Sequence, residues 1–166
     1  MAISTEATVR TVLINAIRGQ AENIGWDDTA NGNVHDHLLE WRHDEGKGEY
    51  LMAMVGGDLT VLAVGVQVRG NDDWFAAGNI TKRTYEIEIS IYAAMGVDGE
   101  GVNRVFDVAR HIRNGIRLLG QRLSETVDFV SATGQVEPKL IADLDPVGPI
   151  IEGPMRYVAE RKNPDF

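Results

Sequence analysis

The chain has 166 residues and 43% hydrophobic residues, enough for one domain with a core, and its 25% charged residues are ordinary for a globular protein. A net charge of −9 argues against a surface whose main task is to grip nucleic acid, which needs clustered Lys and Arg. The absence of cysteine excludes disulfides, thiolate zinc sites and a cysteine nucleophile.

MAISTEATVR has no basic start followed by an apolar run, so a protein made and used without export is expected. No apolar run approaches the ~20 residues of a spanning helix. The first element is a helix over about Ser4 to Ala21, with Val9, Val12, Leu13, Ala16 and Ile17 on one face. Ser4 or Thr5 can cap it, and Glu6 suits the positive end of its dipole.

Residues 22–49 are polar and carry NGN at 31–33 and EGKGE at 45–49, which predicts a long polar loop, with a short element around Leu38 to Trp41. Tyr50 to Val55 and Leu59 to Val68 then flank Gly56-Gly57-Asp58 and predict a hairpin. Val61, Val64, Val66 and Val68 fit a strand covered on at least one face. The composition of RGNDDWFAAGN predicts a loop.

TYEIEISIY, residues 84–92, is the clearest strand. Tyr85, Ile87, Ile89 and Ile91 alternate with Thr84, Glu86, Glu88 and Ser90, giving a dry face and a face that is wet or meets a partner. After GVDGEG comes the strongest helix, about Val102 to Leu119. Its apolar stripe is Val102, Val105, Phe106, Ala109, Ile112, Ile116 and Leu119, and Gly120 is its expected stop. Strands follow at Val127 to Ala132, at Lys139 to Leu144 as an edge or arm, and at Ile150 to Ala159. Pro154 demotes the middle of the last one to an edge or bulge. The tail RKNPDF, 161–166, is expected to be loose. Residues 1–166 thus form a single α+β domain, a mostly antiparallel sheet with two amphipathic helices packed on it.

HDHLLEWRHDEG, residues 35–46, holds three of the four histidines. His35 and His37 would share a strand face, and imidazole and carboxylate are good ligands for zinc, nickel or non-haem iron. The spacing is not that of H-E-x-x-H, and the flanking Gly, Asn and Lys offer no second shell. A polar loop whose His35, His37, Trp41 and His43 touch a partner is favoured over a metal site. No serine sits in G-x-S-x-G, the glycines lack a phosphate-binding pattern, and His111 reads as a surface residue. Glu86 and Glu88 could do acid/base work only in a cleft that raised their pKa, so they read as a wet strand face. No catalytic residue, cofactor or metal is assigned.

Residues 99–123 carry five arginines and two acids, a net of +3, while the rest of the chain, with 11 basic and 23 acidic residues, stands at −12. Arg110, Arg113 and Arg117 line one flank of the helix stripe. Arginine makes bidentate pairs with carboxylates at interfaces, so these residues are candidates for a subunit contact against an acidic surface. A solvated helix flank is the bland alternative, and nucleic-acid binding is disfavoured by the acidic remainder.

The amphipathic helix ATVRTVLINAIRGQ, the strand RTYEIEISIYAAMG, the helix VNRVFDVARHIRNGIRLL and the closing EGPMRYVAERKN together resemble the tail terminator (tail-completion) proteins of tailed bacteriophages, and more loosely the small neck proteins that join head to tail. The likeness is one of pattern over most of the chain, without a diagnostic motif. It implies a non-enzymatic virion protein, assembled in the host cytoplasm, that forms a homohexameric ring at the tail–neck junction. The implied partners are other copies of the chain, the tail tube protein, the sheath protein in contractile tails and a neck or head-completion protein. DNA would only pass through the lumen, and no membrane is involved. The alternatives are a head-completion or stopper protein of the neck and, last, a small metal-dependent enzyme using His35 and His37.

Overall fold

The computed structural model describes residues 6–24, 34–36, 38, 62–74, 80–96, 100–120, 122–124, 127–133, 136–144 and 148–162. Along the chain these form α1 (Glu6–Arg18), α2 (Ala21–Ile24), β1 (Val34–His35), β2 (Leu62–Trp74), β3 (Ile80–Ala94), α3 (Glu100–Leu118), β4 (Arg122–Ser124), β5 (Val127–Thr133), β6 (Lys139–Leu144) and β7 (Gly148–Lys162). The strands make one seven-stranded sheet in the order β1-β2-β3-β7-β5-β4, with β6 also pairing β7. Every pairing is antiparallel except β1 with β2. The expected α+β class, with two longer helices packed on a mostly antiparallel sheet, is the one observed.

Register explains the core. Ile87, Ile89 and Ile91 of β3 lie opposite Val68, Val66 and Val64 of β2, and opposite Tyr157, Met155 and Gly153 of β7. Directly opposed residues share a sheet face, so these three strands present one continuous apolar surface. Val9, Leu13, Ile14 and Ile17 of α1 and Val105, Val108, Ala109, Ile112 and Ile116 of α3 bury against it. Each helix also follows its dipole, with Glu6 and Glu100 in the first turns and Arg18 and Arg117 in the last. Gly120 ends α3 at a φ of 71°, the left-handed conformation that glycine adopts without a Cβ penalty.

Several local readings change. Ile14 and Val108 join the buried helix faces, while Phe106, expected in the stripe of α3, is 47% exposed. It sits one residue off the line through Val105, Ala109 and Ile112, and a helix advances about 100° per residue. RGNDDW, read as loop from its composition, continues β2 to Trp74, because its backbone pairs with residues from Ile80 to Glu86 of β3 whatever its side chains. Residues 22–49 begin within α2 and contain the two-residue β1, whose Val34 and His35 pair with Val64 and Gly65. The other face of β3 is not wet throughout: Ser90 and Tyr92 are buried, and Ser90 Oγ donates to Glu152 Oε1 at 2.9 Å. Arg161 and Lys162, placed in the loose tail, belong to β7, and Arg161 is buried. The hairpin turn at 56–58 and the strand at 50–55 lie outside the described residues, as do 163–166.

Pro154 makes β7 an edge only locally. On one side β7 pairs continuously with β3, Pro154 facing Ser90. On the other side Gly148 to Glu152 pair with β6 and Arg156 to Glu160 pair with β5. The proline stands in the gap between the two partners, where a missing N–H is tolerated. Next to it, a Cβ on Gly153 would overlap Val105 Cγ1 and lie 3.0 Å from Val136 Cγ1. Gly153→Ala is therefore expected to destabilise the fold by about 1–3 kcal/mol in urea unfolding. Adding Val105→Ala should recover part of that loss, since the two side chains would occupy the same space.

Candidate functional site

The outward side of α3 carries the basic residues. With Val105, Ala109, Ile112 and Ile116 turned to the sheet, Arg104, Arg110, Arg113 and Arg117 are all exposed. Arg110 Nη1 lies 3.3 Å from Asp107 Oδ1, a pair so exposed that it contributes little stability. Arg117 Nη2 donates to Asn114 Oδ1 at 3.0 Å. Arg113 donates to the hydroxyl of Tyr157 at the boundary between helix and sheet. Burial raises the pKa of that hydroxyl, and the Arg113 guanidinium opposes the rise. Exposed Phe106 and the 74% exposed Leu118 stand among these arginines. Between the end of β3 and the first half of α3 runs a groove of about 630 Å³ lined by Asn103, Arg104, Phe106, Asp107 and Arg110.

Glu86 and Glu88 lie on the opposite side of the sheet. They alternate with Tyr85, Ile87 and Ile89, so they point away from both helices. Glu86 is exposed and Glu88 half-buried, on the rim of an open groove of about 320 Å³ shared with Gln67, Arg69 and Arg156. Arg69 is directly opposite Glu86 and Arg156 directly opposite Glu88. Neither of these facing pairs closes to an ion pair. The arginine and glutamate candidates therefore do not meet within one subunit.

His35 is part of β1 rather than of a loop; it sits half-buried at the sheet edge opposite Gly65. His37, Trp41 and His43 lie outside the described residues. Among the described residues no group of three or more His, Cys, Asp or Glu side chains could hold a metal. No described helix is long and apolar enough to cross a membrane.

Sequence reasoning missed a polar cluster at the far end of the core face. Arg83 clasps Asp72 with two hydrogen bonds, Nε to Oδ1 at 2.5 Å and Nη2 to Oδ2 at 3.2 Å. The two residues face each other across β2 and β3 in the stretch read as loop. Arg83 also hydrogen-bonds Tyr85, whose pKa is raised chiefly by burial, with Glu6 and Arg161 contributing opposite charges nearby. Arg161 is 3% exposed, and its Nη1 has no hydrogen-bond partner among the described residues. Only the strand register could have revealed this cluster.

No protein-family model matches the chain, and no curated protein is similar to it at the level of sequence. Among solved structures it is similar to a chain from the "Virion of native gene transfer agent (GTA) particle", with 12% identity over 93% of this chain and 97% of that one. The TM-score is 0.45, too low for the likeness to carry an argument about fold or function.

The bidentate Asp72–Arg83 pair has a pH signature. The Arg83 hydrogen bond lowers the pKa of Asp72 below its ordinary value. A carboxyl with a depressed folded-state pKa stabilises the fold above its unfolded pKa, and this contribution disappears as pH falls through the folded value. Asp72→Asn is expected to cost about 1 kcal/mol at pH 6. The gap between variant and wild type should shrink at pH 3, as read by urea unfolding at the two pH values.

Proposed function

We propose that this chain is a structural virion protein without enzymatic activity: a tail terminator that forms a ring, as a homohexamer, on the completed tail tube. The observation that carries the reading is the exposed arginine face of α3 on a subunit whose remaining residues are strongly acidic. Such a face has its complement on other copies of the same chain, and a head-to-tail contact closes into a ring where the rotation permits. The strand–helix pattern of residues 84–119, which resembles tail terminators, supports the same reading, and here it corresponds to β3 and α3. An acidic subunit also suits a lumen through which DNA slides without sticking. In this reading the ring sits at the tail–neck junction. It contacts the tail tube below, the sheath in a contractile tail, and a neck or head-completion protein above.

Electron microscopy and native mass of the purified protein, with and without tail tubes, test the proposal. Rings of defined mass that cap the tubes are expected. A strict monomer that leaves tubes uncapped overturns the reading, and binding at the head's portal–adaptor end instead would make the chain a neck stopper. The variant Arg113→Glu/Arg117→Glu should weaken ring formation by roughly 2–5 kcal/mol, as expected for loss of interfacial charge pairs. Its thermal unfolding should fall only by what the lost Arg113–Tyr157 hydrogen bond contributes, and Arg117→Glu alone should unfold like wild type, because Arg117 is exposed.

A further inference from the structure

A ring contact needs a surface that receives the arginines, and the sheet topology places the two glutamates on the side away from them. The helices cover the face of β3 that carries Tyr85, Ile87, Ile89 and Ile91. Glu86 and Glu88 are on the reverse face. The arginine face of α3 and the glutamate face of β3 thus point in opposite directions from one subunit. Surfaces placed this way cannot pair within a subunit, but they can meet between successive copies related by rotation.

We infer that Arg113 and Arg117 of one copy dock on Glu86 and Glu88 of the next, helix outer face against reverse sheet face, so that the contact is heterologous and repeats around a ring. The inference rests on the ring-forming reading above and names its contact.

Three observations carry it. The spacings match: residues four apart on a helix are separated by about 6 Å, and residues two apart on a strand by about 6.7 Å. The glutamates are available, since neither is joined by an ion pair to the arginine directly across from it. Both glutamates line one open groove, with Arg69 and Arg156 across from them, so an incoming guanidinium would compete with these two arginines for the carboxylates. The composition of the donor face agrees as well. Its exposed cations are all arginine, with Phe106 and Leu118 among them, and arginine and aromatic residues are enriched at interfaces where lysine is depleted. Arg113 retains donors for a carboxylate while it holds Tyr157, because a guanidinium carries five N–H groups.

Complementary charge reversal tests the pairing. One variant carries Arg113→Glu and Arg117→Glu; the other carries Glu86→Lys and Glu88→Lys. Alone, each should form the oligomer only at concentrations at least about tenfold higher than wild type, and wild type itself should weaken with salt. Mixed one to one, they should recover an oligomer of wild-type size, because both contacts of an alternating ring are then between opposite charges. Native mass spectrometry should show equal numbers of the two chains. Should either double variant fail to fold by circular dichroism, the single reversals Arg117→Glu and Glu88→Lys serve the same test. A mixture that stays dissociated while wild type assembles overturns the pairing and leaves tube capping by wild type intact. Variants that assemble alone as well as wild type overturn it equally, and so does a wild type that never self-associates.

Discussion

The pairing of β3 with β7 is the constraint on which the rest of the structure depends. Thirteen consecutive residue pairs, from Lys82 opposite Lys162 to Ala94 opposite Ile150, run without a shift in register. Because side chains alternate along a strand, a slip of one residue would send every core isoleucine of β3 to the wrong face. The surface under the helices, the orientation of Glu86 and Glu88, and the meeting of Arg83 and Arg161 all follow from this one register. β2 extends the apolar surface on one side, and β5 and β6 share the other side of β7 in series around Pro154.

That arrangement separates two kinds of chemistry. The core face is apolar over most of its length and ends in a polar cluster at Asp72, Arg83, Tyr85 and Arg161. The reverse face is charged around Glu86 and Glu88 and buried around Ser90 and Tyr92. A single subunit thus carries the arginines of α3 and the glutamates of β3 on opposite sides of the sheet.

What could be read from the sequence follows the physics of each element. α3 and β3 were legible because long stretches repeat at 3.6 and 2 residues, and Gly120 marks a helix end through its backbone freedom. The arginine face was legible as a composition shift. β1 was not, since two residues give no period and their pairing with Val64 and Gly65 comes from the tertiary fold. The extension of β2 through Gly70-Asn71-Asp72 was hidden by turn-forming residues, and only cross-strand hydrogen bonding overrides their preference. Phe106 was misplaced because it neighbours the stripe in sequence while facing outward on the helix. The burial of Arg161 was obscured by its polar neighbours near the end of the sequence.

The position of β7 in the chain has a consequence for how the molecule is made. It follows every other described element in sequence yet lies between β3 and β5 in space. As a nascent chain leaves the ribosome, β2 and β3 can form their hairpin early, but the free edge of β3 waits for a strand still to be translated. The Ser90–Glu152 bond spans 62 residues, and contacts so distant in sequence are slow to form. Premature termination before residue 148 would therefore not trim the sheet at its margin; it would leave two halves without the strand that joins them.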